Sequence, residues 1–218
     1  MKTINEYIDH TNLKANATAQ DIQRLCQEAV QYRFAAVCVH PCRCEMAKAL
    51  LAGSGVKLAV VVGFPFGTNT SAVKAFETRD AIARGCDEID MVLNIGALKD
   101  GRYDDALQDV KQVVTAAQGH TVKVILETCL LTDEEKKQAV RLCCEAGANF
   151  VKTSTGFSTG GATVQDVALM KAACAPGVQV KAAGGIRSYD DAMRMIEAGA
   201  DRIGTSAGVK IMETASSR

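Results

Sequence analysis

Ala146-Gly147-Ala148-Asn149-Phe150-Val151-Lys152-Thr153 is the stretch on which the fold turns. A glycine ends a helical window, a polar residue turns the chain, and a short apolar run follows. The phrase returns as Arg84-Gly85-Cys86-Asp87 before Glu88-Ile89-Asp90-Met91-Val92-Leu93. It returns again as Ala198-Gly199-Ala200-Asp201 before Arg202-Ile203-Gly204-Thr205. Junctions that rhyme in this way mean a repeated strand–helix unit. Working outward, further β-branched runs lie at Ala36–Val39, Lys57–Val62, 122–126 and 178–182, with a weaker first run at 7–10. Most are apolar on successive residues rather than alternating, which predicts parallel strands buried on both faces. Amphipathic windows fill the gaps. They open on helix-start pairs: Thr18 with Asp21, Thr132 with Glu135, Thr163 with Asp166, Ser188 with Asp191. Eight such units in 218 residues leave about 27 residues each, compact but sufficient for a barrel. The expected fold is therefore α/β, a single-domain (β/α)8 TIM barrel over residues 1–218. A doubly wound open sheet is the runner-up.

Composition agrees with one packed domain. The chain is 48% hydrophobic and 23% charged, which excludes a disordered polymer. Prolines 41, 65 and 176 are scattered and mark no linker. Lys plus Arg is 25 and Asp plus Glu is 25, so no basic field points to nucleic acid. Any anion bound here is held by a local site rather than by a global field. No apolar stretch approaches the ~20 residues of a membrane helix. Met1-Lys2-Thr3-Ile4-Asn5-Glu6 lacks the apolar core of a signal peptide. Nine cysteines, several inside apolar patterns (Cys26, Cys38, Cys143, Cys174), read as reduced thiols of a cytoplasmic protein.

A barrel carries its chemistry at the C-terminal ends of its strands. The polar residues that end or interrupt the apolar runs are Asp9, Cys38, Asp90, Asn94, Glu127, Lys152 and Lys181. Lys152 and Lys181 fall in the sixth and seventh runs, hence on neighbouring strands, and each precedes a glycine-containing loop. Two adjacent ammonium groups depress at least one pKa, and burial adds to this. A neutral amine attacks carbonyls to form a Schiff base. The plainer alternative is a snorkelling or ion-paired structural lysine. Lys57 and Lys123, near the starts of their runs, read as stability residues. Asp90 needs a cationic partner, whether it relays protons through water or only balances charge. Glycine-rich turns follow the seventh and eighth runs. There the amides of Gly184, Gly185 and Ser206 and the Ser206 hydroxyl are candidates to cradle a phosphate, with Thr155 and Gly156 adding donors. Cys38, with Asn94 and Glu127, is a candidate wall of the substrate pocket. The cluster Cys38-Val39-His40-Pro41-Cys42-Arg43-Cys44 lacks knuckle spacing and a second ligand pair, so structural zinc is the lesser reading. His10 and His120 stand alone.

These motifs together resemble the deoxyribose-phosphate aldolase family over nearly the whole chain. The matching stretches begin with Tyr7-Ile8-Asp9-His10-Thr11-Asn12-Leu13-Lys14, Val37-Cys38-Val39 and Val62-Gly63-Phe64-Pro65-Phe66-Gly67. They continue with Glu88-Ile89-Asp90-Met91-Val92-Leu93-Asn94-Ile95-Gly96 and Lys123-Val124-Ile125-Leu126-Glu127-Thr128. Phe150-Val151-Lys152-Thr153-Ser154-Thr155-Gly156-Phe157, Lys181-Ala182-Ala183-Gly184-Gly185-Ile186-Arg187 and Arg202-Ile203-Gly204-Thr205-Ser206-Ala207-Gly208 complete the set. The resemblance implies a (β/α)8 barrel that needs no cofactor or metal. It implies Lys152 as the Schiff-base lysine, Lys181 as the second lysine and Asp90 as the acid of the proton relay. The implied substrate is 2-deoxy-D-ribose 5-phosphate, cleaved to glyceraldehyde 3-phosphate and acetaldehyde, with phosphate at Gly184, Gly185 and Ser206. A homodimer is left open as a partner state. Departures are Phe157 where some members carry lysine, Ala183 where serine is common, and an end at Ala215-Ser216-Ser217-Arg218 without the tyrosine of longer members. Another Schiff-base aldolase, or a thiol-rich metal-binding or redox-sensing protein, are the competing functions.

Overall fold

Alternation along each strand decides what the barrel encloses and what it turns toward its helices. The computed structural model describes residues 2–216. Its strands are β1 (Ile8–Thr11), β2 (Ala36–Val39), β3 (Lys57–Val62), β4 (Glu88–Val92), β5 (Thr121–Ile125), β6 (Phe150–Lys152), β7 (Gln179–Ala183) and β8 (Arg202–Thr205). All neighbours pair in parallel, and β8 pairs back to β1 through Asp9↔Gly204, closing the barrel. That closure removes the open-sheet alternative. Ser217 and Arg218, the end of the tail without a tyrosine, lie outside the described residues.

The outer layer is α1 (Ala19–Tyr32), α2 (Cys44–Leu50), α3 (Ser71–Ala83), α4 (Ile95–Lys99), α5 (Tyr103–Ala116), α6 (Asp133–Glu145), α7 (Val164–Ala173), α8 (Tyr189–Glu197) and α9 (Gly208–Ser216). Thr18, Thr132 and Ser188 close reciprocal capping boxes with Asp21, Glu135 and Asp191. Thr163 caps α7, but no box closes, because the Asp166 carboxylate takes Lys136 Nζ at 2.5 Å instead. Gly85, Gly147 and Gly199 end helices with φ of 96°, 85° and 109°, a conformation only glycine adopts freely. No described helix is long and apolar enough to cross a membrane.

Outward strand residues such as Val37, Val60, Ile89, Val124, Val151, Val180 and Ile203 pack under the helices as one continuous core. The interior is of two kinds. Cys38, Ala59 and Val61 of β2 and β3, with Leu13 and Phe64, line an apolar arc. The remaining arc is charged, and it is there that the chemistry lies. A separate buried ion pair, Lys74–Asp109 at 2.6 Å, joins α3 to α5, and Lys74 also donates to the Val92 carbonyl at 2.9 Å.

Candidate active site

Charged side chains inside a barrel are tolerable only when they neutralise one another. Here Asp90, on β4, accepts from three lysines. Lys123 Nζ lies 2.7 Å from Oδ1, while Lys181 Nζ at 2.7 Å and Lys152 Nζ at 2.9 Å share Oδ2. Asp9 on β1 takes Lys181 Nζ at 2.5 Å and Arg202 Nη2 at 2.5 Å. Glu88, two residues before Asp90 and on the same face of β4, takes Lys123 at 2.5 Å and Arg202 at 3.1 Å. The register makes this possible: Asp90 sits opposite Lys123, Lys152 opposite Lys181, and Lys181 opposite Arg202.

The protonation pattern follows from the geometry. Burial alone would raise the Asp90 carboxyl, but Lys123, Lys152 and Lys181 outweigh it and hold it well below the usual carboxylate range. Burial likewise opposes ionisation of Asp9, yet Lys181 and Arg202 hold it down to about 2. Burial would lower Lys181, but Asp9 and Asp90 outweigh it and keep it protonated above the ordinary lysine range. The expectation that two adjacent lysines depress a pKa therefore does not hold for Lys181, because carboxylates stand between the cations.

Above this network opens a cavity of about 500 Å3, the size of a small metabolite site. Of the three lysines on Asp90, only Lys152 lines it. Thr155, Gly156, Gly184, Gly185 and Ser206 line it too. The two turns are tied together: Thr205 Oγ1 donates to the Ile186 carbonyl at 2.7 Å and accepts the Ala207 amide at 2.9 Å. Gly185 has φ of 81° and open space where a side chain would stand. Arg187 and Lys14 are exposed and also line the cavity, so basic side chains are present beside the apolar Phe157.

Three expectations are corrected. Cys38 does not reach the cavity. It is fully buried in the apolar arc, where burial and Asp90 push its thiol up to about 11. Lys123 is not a strand-start stability residue like Lys57, which is exposed, but a fully buried partner of Asp90. His10 is not isolated: it lines the cavity, and its Nε2 lies 2.6 Å from Glu28 Oε2. Sequence reasoning also missed Glu88 and Arg202. The spacing of Glu88 and Asp90 by two was the available signal. Cys38, Cys42 and Cys44 do not gather as a metal site, since Cys42 is exposed and Cys44 Sγ donates to the Ala81 carbonyl at 3.5 Å. Among the described residues no group of three or more His, Cys, Asp or Glu side chains is arranged to hold a metal ion.

Comparison with known proteins adds an independent line. The pattern of the DeoC/LacD family aldolase matches residues 3–214. The chain is 60% identical over 210 residues to the deoxyribose-phosphate aldolase of Streptococcus sanguinis, covering 96% of each. It is 59% identical over 216 residues to that of Thermococcus gammatolerans, covering 97% of this chain and 96% of the other. A solved structure described as a tetrameric deoxyribose phosphate aldolase from Aeropyrum pernix superposes with a TM-score of 0.92 at 36% identity, covering 98% of this chain and 91% of that one.

Proposed function

The chain belongs to the DeoC/LacD family of aldolases, and from that premise we propose how its barrel performs the reversible cleavage of 2-deoxy-D-ribose 5-phosphate to glyceraldehyde 3-phosphate and acetaldehyde. The observation that carries the assignment of the nucleophile is that Lys152, alone among the lysines on Asp90, faces the cavity. Four basic side chains (Lys123, Lys152, Lys181, Arg202) face three carboxylates (Asp9, Glu88, Asp90). The cluster is therefore neutral overall when one amine is uncharged, and an uncharged amine is the nucleophile that imine formation requires.

Lys152 attacks carbon 1 of the open-chain sugar, and loss of water gives the iminium. The bond between carbons 2 and 3 then breaks as the carbon-3 hydroxyl gives up its proton. Its electron pair becomes the carbonyl of glyceraldehyde 3-phosphate, and the bond electrons collapse onto the iminium as an enamine. Protonation of the enamine carbon and hydrolysis release acetaldehyde and Lys152. Asp90 Oδ2 lies between Lys152 and Lys181 and supports proton movement at the carbinolamine, while Lys181 stays cationic and offsets charge. The turns at Gly184, Gly185 and Ser206, with Arg187, receive the phosphate. Nine unpaired thiols suit a reducing cytoplasm. A homodimer is the proposed assembly, and exposed Phe66 and Phe76 are available to it; sedimentation tests it. Borohydride reduction in the presence of acetaldehyde, followed by peptide mass mapping, is expected to place the adduct on Lys152. An adduct on Lys181 would reverse the two lysines.

A further inference from the structure

Glu127 follows β5 with φ of 55° and ψ of 64°, a left-handed conformation that non-glycine residues rarely adopt. The other described non-glycine residues at positive φ are Arg33 and Gln118, both at helix C-termini, where that conformation is ordinary. Glu127 has no such reason for it. Its side chain is 3% exposed, and both carboxylate oxygens are spent on one residue. The Thr155 amide donates to Oε1 at 3.2 Å and to Oε2 at 3.4 Å, and the Thr155 hydroxyl donates to Oε2. Thr155 in turn lines the cavity, three residues beyond Lys152.

A threonine hydroxyl has one proton and two lone pairs. The proton of Thr155 goes to Glu127, and one lone pair takes the Phe157 amide at 3.0 Å. What remains of the hydroxyl, on a residue that lines the cavity, is an acceptor only. Such an oxygen holds a group that donates, an alcohol, and has nothing to offer a carbonyl or ether oxygen. The imine end at Lys152 and the phosphate end at Gly184, Gly185 and Ser206 bracket the sugar, with its hydroxyls between them.

Resting on the aldolase reading above, we propose that Glu127 is a positioning residue. By orienting Thr155 it selects acceptor aldehydes that carry a hydroxyl beside the carbonyl, the hydroxyl the reaction does not consume.

The test runs in the condensation direction, with acetaldehyde as donor. Two acceptors are compared: glyceraldehyde 3-phosphate, and 3-oxopropyl phosphate, which lacks only that hydroxyl. The native chain is expected to favour the hydroxylated aldehyde by about tenfold or more in kcat/KM, since only that aldehyde donates a hydrogen bond to the Thr155 oxygen. Glu127→Gln replaces one acceptor oxygen by a donor, and the preference is expected to fall to about threefold or less. The loss should appear in KM for glyceraldehyde 3-phosphate, with turnover of 3-oxopropyl phosphate changed less than about twofold. Glu127→Gly removes the carboxylate at a backbone position glycine adopts freely, so it should fold without added backbone strain, with Tm lowered by the lost Thr155 hydrogen bonds, and lose the same preference. It serves where the glutamine variant fails to fold. An unchanged preference in the folded variants, equal losses on both aldehydes, or no preference in the native chain would each overturn the proposal while leaving the aldolase reading intact. No condensation of either aldehyde by the native chain would overturn that reading, and this inference with it.

Discussion

Asp90 is the residue on which the whole interior converges, since its two oxygens serve Lys123, Lys152 and Lys181. Asp90→Asn keeps the shape and removes the charge. If the carboxylate moves protons at the carbinolamine, kcat falls by roughly 10²-fold or more in the folded variant. Stability falls as well, because cations lose a buried counter-charge, by about 3–5 kcal/mol. Melting temperature and kcat measured on the same variant separate the two effects. Normal kcat in the cold beside a large drop in Tm would leave Asp90 as an ion-pair partner only. The position of Asp90 was legible as an acid inside an apolar run. Its partnership with Lys123 was not. A strand buried on both faces gives no alternation to show which residues point inward, so Lys123 looked equivalent to the exposed Lys57.

At the scale of elements, the loop after β7 and the α3–α5 pair make separate claims. Gly185 holds φ of 81°, lines the cavity and has nothing within 4 Å of the place a side chain would occupy. Gly185→Val fills that space and strains the turn. KM for deoxyribose 5-phosphate is expected to rise about tenfold or more, some 1.4 kcal/mol, with a much smaller change for unphosphorylated deoxyribose. Equal changes on both sugars would move the phosphate elsewhere. In the outer layer, Asp109→Asn strands the fully buried Lys74, and urea unfolding should register a loss of about 3–5 kcal/mol. The paired replacement Lys74→Met with Asp109→Leu should recover most of it, since two apolar side chains leave no charge unpaired. The helix starts were legible because a capping box is local, spanning four residues. Asp166 shows the limit: the sequence offers it to Thr163, and a lysine thirty positions away takes it.

For the molecule as a whole, the buried carboxylates set the acid limit. Asp9 is held at about 2 and Asp90 well below its usual value, whereas unfolded aspartates titrate near 3.9. Between these values the unfolded chain binds more protons than the native one, so stability rises with pH there. It is fully present above about pH 4 and is lost as pH falls toward 2. Thermal melts across pH 6 to 2 should show Tm steady at first and then falling steeply. Asp9→Asn should flatten that fall while lowering the plateau. A slope unchanged by the substitution would mean that other carboxylates govern acid unfolding.

The amino-acid sequence alone determined the number and order of strands, the glycine-ended junctions between them, and the lysines and aspartate that interrupt or end apolar runs. Those features are local or periodic, and each is carried by residues within one turn or one strand of one another. Only the closed barrel decided which side chains meet. Arg202 reaches Asp9 across 193 positions, and Asp90 reaches Lys181 across 91. These contacts exist because β8 returns to β1 and because inward parity sets their charges against one another. The same closure chose Lys152 over Lys181 as the amine in the cavity, buried Cys38 away from it, and brought Glu127 against Thr155.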